Sequence, residues 1–171
     1  MLTFALQFPP EEIPALAARF GESDDGPYLR AGAAARARGR YTRAEFLLVC
    51  EWKSARSRPL VAANAPAAIA RATGAALAAT GDAERIAALL ALKGVGVPTA
   101  SVLLHFAEPG RYPILDVRAL ESLGVKGRST YPVSFWLRYV DACRALSARH
   151  GVSLRTLDKA LWQHSKERAR P

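Results

Sequence analysis

Cysteine and histidine are scarce in this sequence. Its 171 residues include two cysteines, Cys50 and Cys143, and three histidines that follow no metal-ligand spacing. Two cysteines cannot complete a four-cysteine zinc or iron–sulfur site, and a disulfide between them is not expected in a reducing compartment. The sequence therefore predicts a protein that uses no metal and no other cofactor.

Long apolar runs, low-complexity linkers and internal repeats are also missing. No run approaches the ~20 apolar residues that span a bilayer, although half of the residues are apolar and 23% are charged. The first residues, MLTFALQFPPEE, lack the basic start of a secretory signal. We expect a globular, cytoplasmic protein of one domain or two small lobes, with no membrane partner.

Positive charge is what the sequence has in excess. Lysine and arginine number 24 against 15 acidic residues, for a formal charge of +9 and an isoelectric point near 10.2. Most of the 24 are arginine, whose planar fork suits phosphate. A basic domain of this size is typical of nucleic-acid binding. The alternative is an alanine- and arginine-rich composition that reflects a GC-rich genome.

Alanine-rich segments and short β-branched runs predict a nearly all-helical chain. Thr42-Arg43-Ala44-Glu45 is a capping box, and the helix after it should stop before Pro59. Residues 31–40 are either helical or a mobile basic loop. Later helix starts are predicted at one opening proline and three capping residues: Pro98, Asp82, Asp116 and Ser153.

The most specific motif is the segment LKGVGVPTA, residues 92–100, which has a predicted helix on each side. Gly94 and Gly96 allow a sharp turn in which backbone N–H groups point outward. Together with the N-terminus of the helix that Pro98 opens, these amides can bind an anion such as a DNA phosphate. The alternative is an ordinary turn between two helices, in which the glycines serve only the turn.

The hairpin and the residues after it resemble the helix-hairpin-helix (HhH-GPD, endonuclease III-like) DNA glycosylase superfamily. In that family the hairpin is followed by a loop containing glycine and proline, and then by an essential aspartate. Here LKGVGVPTASVLL is followed by GRYPILDVRAL, and Asp116 lies 18 residues after Pro98, which matches the family pattern. The resemblance is firm over residues 83–124. It implies an all-α fold and a glycosylase activity that needs no metal.

The resemblance also implies roles for individual residues. Asp116 would be catalytic, either by stabilising the positive charge that develops on the sugar or by activating a water. The bifunctional members of the family carry a lysine nucleophile in the hairpin, and Pro98 occupies that position here. Monofunctional members lack this lysine too. Without the resemblance, Asp116 would be interpreted only as the N-cap of a helix.

Lys53 lies on an unexpected face of its helix. With Phe46 as the origin of a helical wheel, Lys53 falls at about 340°, within the apolar stripe. One interpretation is that Lys53 points into the base pocket, where it either pairs with Asp116 or replaces the hairpin lysine as an amine nucleophile. The alternative is that its stem follows the core and its head reaches water. Glu51 lies on a different face and is not the expected partner.

Three aromatic residues are candidates for stacking on an extruded base: Trp52, Tyr41 and Tyr112. The alternative for each is a place in the core. Trp136 and Trp162, by contrast, are predicted to pack between helices.

These observations predict an all-α protein with two helical lobes. Residues 42–125 form the central bundle, which carries the hairpin (92–98) and the aspartate loop. Residues 1–41 and 126–171 form the second lobe. The cleft between the lobes is expected to present Asp116 and Lys53.

The predicted function is that of a monomeric DNA glycosylase of base-excision repair, with double-stranded DNA as the partner. The alternative is a non-catalytic helix-hairpin-helix DNA-binding module, which need not keep an open cavity beside Asp116. A helical protein–protein adaptor would leave the charge and the hairpin unexplained. The residues predicted to contact DNA are Lys93, Gly94, Val95, Gly96, Val97, Thr99 and Arg118.

Overall fold

The computed structural model describes residues 3–21 and 23–169, and these residues form ten α-helices and no β-strand. The predicted all-α class is therefore confirmed. Residues 31–40 are helical up to Arg38. Short 3₁₀ turns lie at Pro10–Glu12 and Ala55–Ser57. The helices are α1 (Ile13–Phe20), α2 (Gly26–Arg38), α3 (Arg43–Lys53), α4 (Arg58–Ala62), α5 (Pro66–Ala78), α6 (Asp82–Leu90), α7 (Val97–Ala107), α8 (Val117–Ser122), α9 (Val133–His150) and α10 (Leu154–Arg168).

Four helices begin where the capping signals predict. The Thr42 hydroxyl accepts a hydrogen bond from the Glu45 amide, and the Glu45 carboxylate accepts one from the Thr42 amide, so the capping box of α3 is complete. Asp116 and Ser153 cap α8 and α10 with their side chains. Pro98 lies in the first turn of α7, where its missing N–H would have had no partner within the helix.

Helix α3 ends at Lys53, before Pro59 as predicted, and Pro59 lies in the first turn of α4, a helix that was not predicted. The predicted capping role of Asp82 is wrong. Asp82 is the first residue of α6, and its N-cap is Gly81. The Asp82 carboxylate instead accepts hydrogen bonds from three side chains much later in the chain: Arg111, Tyr112 and Arg144.

Helix α7 forms the centre of the fold. All of its residues except Pro98 are buried, and α2, α3 and α6 pack against it. The contact with α2 is close enough to require a glycine, because a Cβ atom at Gly32 would lie 2.0 Å from the Phe106 carbonyl oxygen. Helix α1 packs along α10, which also contacts α8 and α9. The division into two lobes remains a prediction.

Among the described residues, no single helix is long and apolar enough to cross a membrane. Only Ala55–Ala62 and Pro66–Ala78 together reach that length and hydropathy, and they meet at an angle of 108°.

The hairpin between α6 and α7 is held in place by α4 and by Asn64, two residues after the end of that helix. The Asn64 side chain donates to the Lys93 carbonyl and accepts from the Lys93 amide, both at 2.9 Å. Gly94 has a φ of +75°, in the left-handed region, and faces α4. A Cβ atom there would lie 2.7 Å from Leu60 Cβ and 2.9 Å from the Val61 amide nitrogen. Both the backbone conformation and the available space therefore require glycine at this position.

We expect Gly94→Ala to lower the free energy of unfolding by about 1–3 kcal/mol, because alanine strains the left-handed conformation and contacts α4. Gly110→Ala is the matched control, since no atom lies within 4 Å of a Cβ there and its φ is not positive. Urea titrations of the three proteins measure the difference. Equal losses in the two variants would contradict the proposed constraint on the hairpin.

Candidate active site

Lys53 and Asp116 form an ion pair. Lys53 is the last residue of α3, and its Nζ lies 2.8 Å from Asp116 Oδ2. Asp116 also uses its other oxygen, Oδ1, to accept a hydrogen bond of 2.9 Å from the Arg118 amide as the N-cap of α8. The two side chains are 14% and 27% exposed. The predicted contact is therefore present, and the carboxylate is held at both oxygens while remaining open to solvent.

This ion pair borders a pocket of about 220 Å³. Its volume is below the ~300–1,000 Å³ of pockets for drug-sized ligands, so it suits a smaller group. Three aromatic side chains, Phe20, Trp52 and Trp162, contribute to its walls. The remaining lining residues are Lys53, Ile114, Asp116, Arg155 and Asp158. The pocket thus combines apolar walls with a small group of charged side chains from α3, α10 and the start of α8.

A second charged cluster closes the pocket on the side of α10. Arg155 donates from Nε and Nη2 to the two oxygens of Asp25, at 2.8 and 3.2 Å, and from Nη1 to Asp158 Oδ2. Burial raises the pKa of Asp158 to about 6, against the opposing effect of Arg155. Burial would also raise the pKa of Asp25, but the hydrogen bonds and charge of Arg155 outweigh it and lower that pKa. The two carboxyl groups on one guanidinium therefore differ in their affinity for a proton.

The segment that leads to Asp116 is held by side chains from two helices. The Ser101 hydroxyl in α7 accepts from the Leu115 amide at 3.0 Å and donates to the Pro98 carbonyl at 2.7 Å. The Tyr139 hydroxyl in α9 donates to the Ile114 carbonyl at 2.7 Å. These contacts tie the position of Asp116 to the beginning of α7, which is part of the hairpin.

The hairpin residues differ in what they can offer a ligand. Lys93 and Gly96 are exposed, whereas the side chains of three other predicted contacts, Val95, Val97 and Thr99, are buried. Any contact of those three with DNA must therefore use the backbone. Gly96 is the N-cap of α7 and has no side chain to satisfy the first amides of that helix, which leaves them available to an anion.

Two of the aromatic residues predicted for the base pocket lie elsewhere. Tyr41 is buried, and its hydroxyl donates to the Leu103 carbonyl. Tyr112 is also buried, stacks on Trp136 and donates to Asp82. Their assignment to the pocket is wrong because neither ring is accessible to a base. Trp52 does line the pocket.

Sequence reasoning missed five pocket residues, two of them charged: Phe20, Ile114, Trp162, Arg155 and Asp158. Trp162 was expected only to pack between helices, yet it faces the pocket and has the Arg118 guanidinium over its ring at 5.3 Å. A signal for Asp158 was present. It follows Leu154 by four residues and precedes Leu161 by three, so it lies within the apolar stripe of α10, as Lys53 does in α3.

A larger cleft of about 400 Å³ is lined by His164, Ser122 and Ser165, and its Ser122–His164 pair does not offer an activated nucleophile. The Ser122 hydroxyl donates to the Leu161 carbonyl at 2.6 Å, so its proton is already committed. His164 Nδ1, at 2.9 Å from the same oxygen, must then act as the donor and cannot remove the serine proton. The pocket at Asp116 is therefore the better candidate.

Comparison with family models, with curated proteins and with solved structures gave no match for this chain.

His105 supports the aspartate loop and should make stability depend on pH. Its Nδ1 donates to the Tyr112 carbonyl at 2.7 Å, and burial lowers its pKa from 6.5 to about 4. The unfolded chain therefore binds a proton first as the pH falls. The contribution of His105 to stability should be full above pH 6.5 and decline between 6.5 and about 4, by at most ~1.4 kcal/mol per pH unit.

We expect the stability difference between the wild type and His105→Asn to shrink across this window, because asparagine keeps a donor for the Tyr112 carbonyl but does not titrate. Urea unfolding at about pH 7.5, 5.5 and 4.5 measures the difference. Asp158 has a raised pKa, so its contribution to stability changes with pH in the opposite direction. This contribution is the same in both proteins and therefore cancels in the difference between them. A difference that stays constant with pH would show that His105 is not buried in its neutral form.

Proposed function

We propose that this protein is a DNA glycosylase, which flips a damaged or mispaired base and hydrolyses its N-glycosidic bond. The observation that carries the proposal is the Lys53–Asp116 pair at the edge of an aromatic-walled pocket. The carboxylate stands at the helix start that follows the hairpin, with the spacing that the glycosylase superfamily uses. An open cavity beside Asp116 is also what a glycosylase needs and what a binding module could dispense with.

Asp116 suits the chemistry of the proposed reaction. Breaking an N-glycosidic bond leaves positive charge on the sugar ring, and a nearby carboxylate stabilises that charge. The same group can deprotonate the water that attacks the sugar carbon. Its geometry is set by three neighbours, since Lys53 and the Arg118 amide hold its two oxygens and Ser101 holds the residue before it. A preorganised carboxylate of this kind does not have to be reoriented during the reaction.

Basic residues around the hairpin support DNA as the partner. Helix α4 packs on Gly94 and begins with the exposed Arg58, which also pairs with Glu51, and Arg56 is exposed in the turn before this helix. Lys93 is exposed within the hairpin itself. These cations and the first amides of α7 can contact phosphates without reading the base sequence. This is the form of binding expected of a protein that searches duplex DNA for rare lesions.

A non-catalytic DNA-binding module is the second candidate, and Pro98 favours it. Proline cannot form a Schiff base, so the usual lyase nucleophile of the superfamily is missing from the hairpin. The retained Asp116 and its open pocket oppose this alternative. Excision of a base separates the two candidates, because both would bind DNA and only one would cut the glycosidic bond.

The first test is excision from a panel of end-labelled duplexes, each with one altered base, split into samples with and without hot alkali. We expect strand breaks after alkali from the wild type and a loss of about 100-fold or more in Asp116→Asn, which keeps the shape but not the charge. Asp141→Asn, on the exposed face of α9, is the matched control and should act as the wild type does. Intact DNA binding with no excision anywhere in the panel would favour the binding module.

Lys53 can be tested separately. We expect Lys53→Ala to slow excision by about 100-fold, because Asp116 loses the partner that orients it. Borohydride added to the wild type and an abasic duplex then distinguishes the two roles of the lysine. A trapped covalent complex that Lys53→Arg abolishes indicates a nucleophile, and no complex indicates positioning alone. Excision by Lys53→Ala at the wild-type rate would contradict both roles.

A further inference from the structure

Asp158 is the second carboxyl group of the pocket, and its surroundings differ from those of Asp116. It lies on α10 with 6% of its surface exposed. Its Oδ2 accepts a hydrogen bond from Arg155, while no donor among the described residues is bonded to Oδ1. Asp116, in contrast, has a donor on each oxygen. Asp158 therefore keeps one oxygen available within a pocket that the proposed function fills with a base.

The charges around Asp158 favour a bound proton. Its closest cation, Arg155, is shared: of the four hydrogen bonds from this guanidinium, two go to Asp25, one goes to Ser23 and one goes to Asp158. The carboxylate of Asp116 is near enough to oppose ionisation, and the ammonium of Lys53 favours it. Helix α9 contributes Tyr139 and Cys143, which burial keeps neutral. Burial is the largest of these effects, and it raises the pKa of Asp158 to about 6.

We propose that Asp158 is the proton donor to the departing base, so that the pocket is built for neutral bases, which leave more readily when they receive a proton. This inference rests on the proposed glycosylase function and assigns Asp158 a catalytic role distinct from that of Asp116. The two carboxyl groups divide the reaction, since one acts on the base and the other on the sugar.

In the proposed step, the bond between the sugar carbon and the base nitrogen breaks, and its electron pair goes to the base. The proton on Asp158 Oδ1 moves to the base, which departs neutral, and Asp158 becomes a carboxylate hydrogen-bonded to Arg155. The positive charge left on the sugar faces the Asp116 carboxylate. Water then bonds to the sugar carbon and gives its proton to Asp116.

The charge of the base tests whether Asp158 acts as a general acid. Uracil and hypoxanthine are neutral in DNA and leave more readily when they are protonated. 7-Methylguanine already carries a positive charge and leaves as a neutral base without receiving a proton. A general acid should therefore matter for the first two bases and not for the third, whereas a purely structural residue should affect all three equally.

The experiment compares single-turnover excision of these three bases by the wild type, Asp158→Asn and Asp116→Asn. Asparagine keeps an oxygen for Arg155 but has no acidic proton to give. We expect Asp158→Asn to lose about 100-fold or more on uracil or hypoxanthine and to stay within about threefold of the wild type on 7-methylguanine. Asp116→Asn should lose activity on every base that the wild type excises.

A second measurement covers the case in which the wild type excises only neutral bases. Its rate should then fall as the pH rises through about 6, because Asp158 loses its proton, and Asp158→Asn should lack this dependence. Thermal unfolding followed by circular dichroism checks that the variant is folded.

The outcomes separate the proposals. Equal losses on all bases, an unchanged pH profile, or wild-type excision confined to 7-methylguanine would overturn the role of Asp158 and leave the glycosylase intact. No excision of any base by the wild type would count against the glycosylase itself, and the role of Asp158 would fall with it.

Discussion

Burial of α7 is the constraint on which the rest of the structure depends. This helix has almost no exposed surface, so everything attached to it is placed by packing rather than by surface contacts. The hairpin lies at its N-terminus, Ser101 bonds to the aspartate loop within its second turn, and His105 bonds to the same loop near its end. A shift of α7 would therefore move the hairpin and the candidate catalytic residue together.

The acid–base properties of the pocket follow from an imbalance, because it has more carboxyl groups than cations to pair with them. Three carboxyl groups, those of Asp25, Asp116 and Asp158, are paired with two cations, Lys53 and Arg155. With all five ionised, the cluster carries one excess negative charge in a partly buried site, which is unfavourable. A proton on Asp158 removes the excess, and Asp158 is the member of the cluster whose surroundings exclude water most. Charge balance and burial thus identify the same carboxyl group, that of Asp158, as the acidic one.

The sequence allowed the all-α class, most helix starts and the Lys53–Asp116 contact to be predicted, because each depends on local rules. Capping residues act within four positions, and a charged residue in an apolar stripe is visible on a helical wheel. Tyr41 and Tyr112 were misplaced because the choice between core and pocket depends on which helices meet. Asp158 was missed for a similar reason, since only the packing of α10 against α8 brings it near Asp116. Helix α4 was not predicted, because proline marks both ends of helices and Pro59 was interpreted only as the end of the preceding one.

Under the proposed function, Pro98 and Lys53 are two consequences of one arrangement. Proline fixes the first turn of α7, and its carbonyl accepts the Ser101 hydroxyl that also holds the residue before Asp116. A lysine at this position would supply an amine from the hairpin itself. Here the amine comes from the end of α3 and reaches the same carboxylate. The hairpin would then bind DNA and support Asp116. The groups that would act on the nucleotide come from α3, the start of α8 and α10.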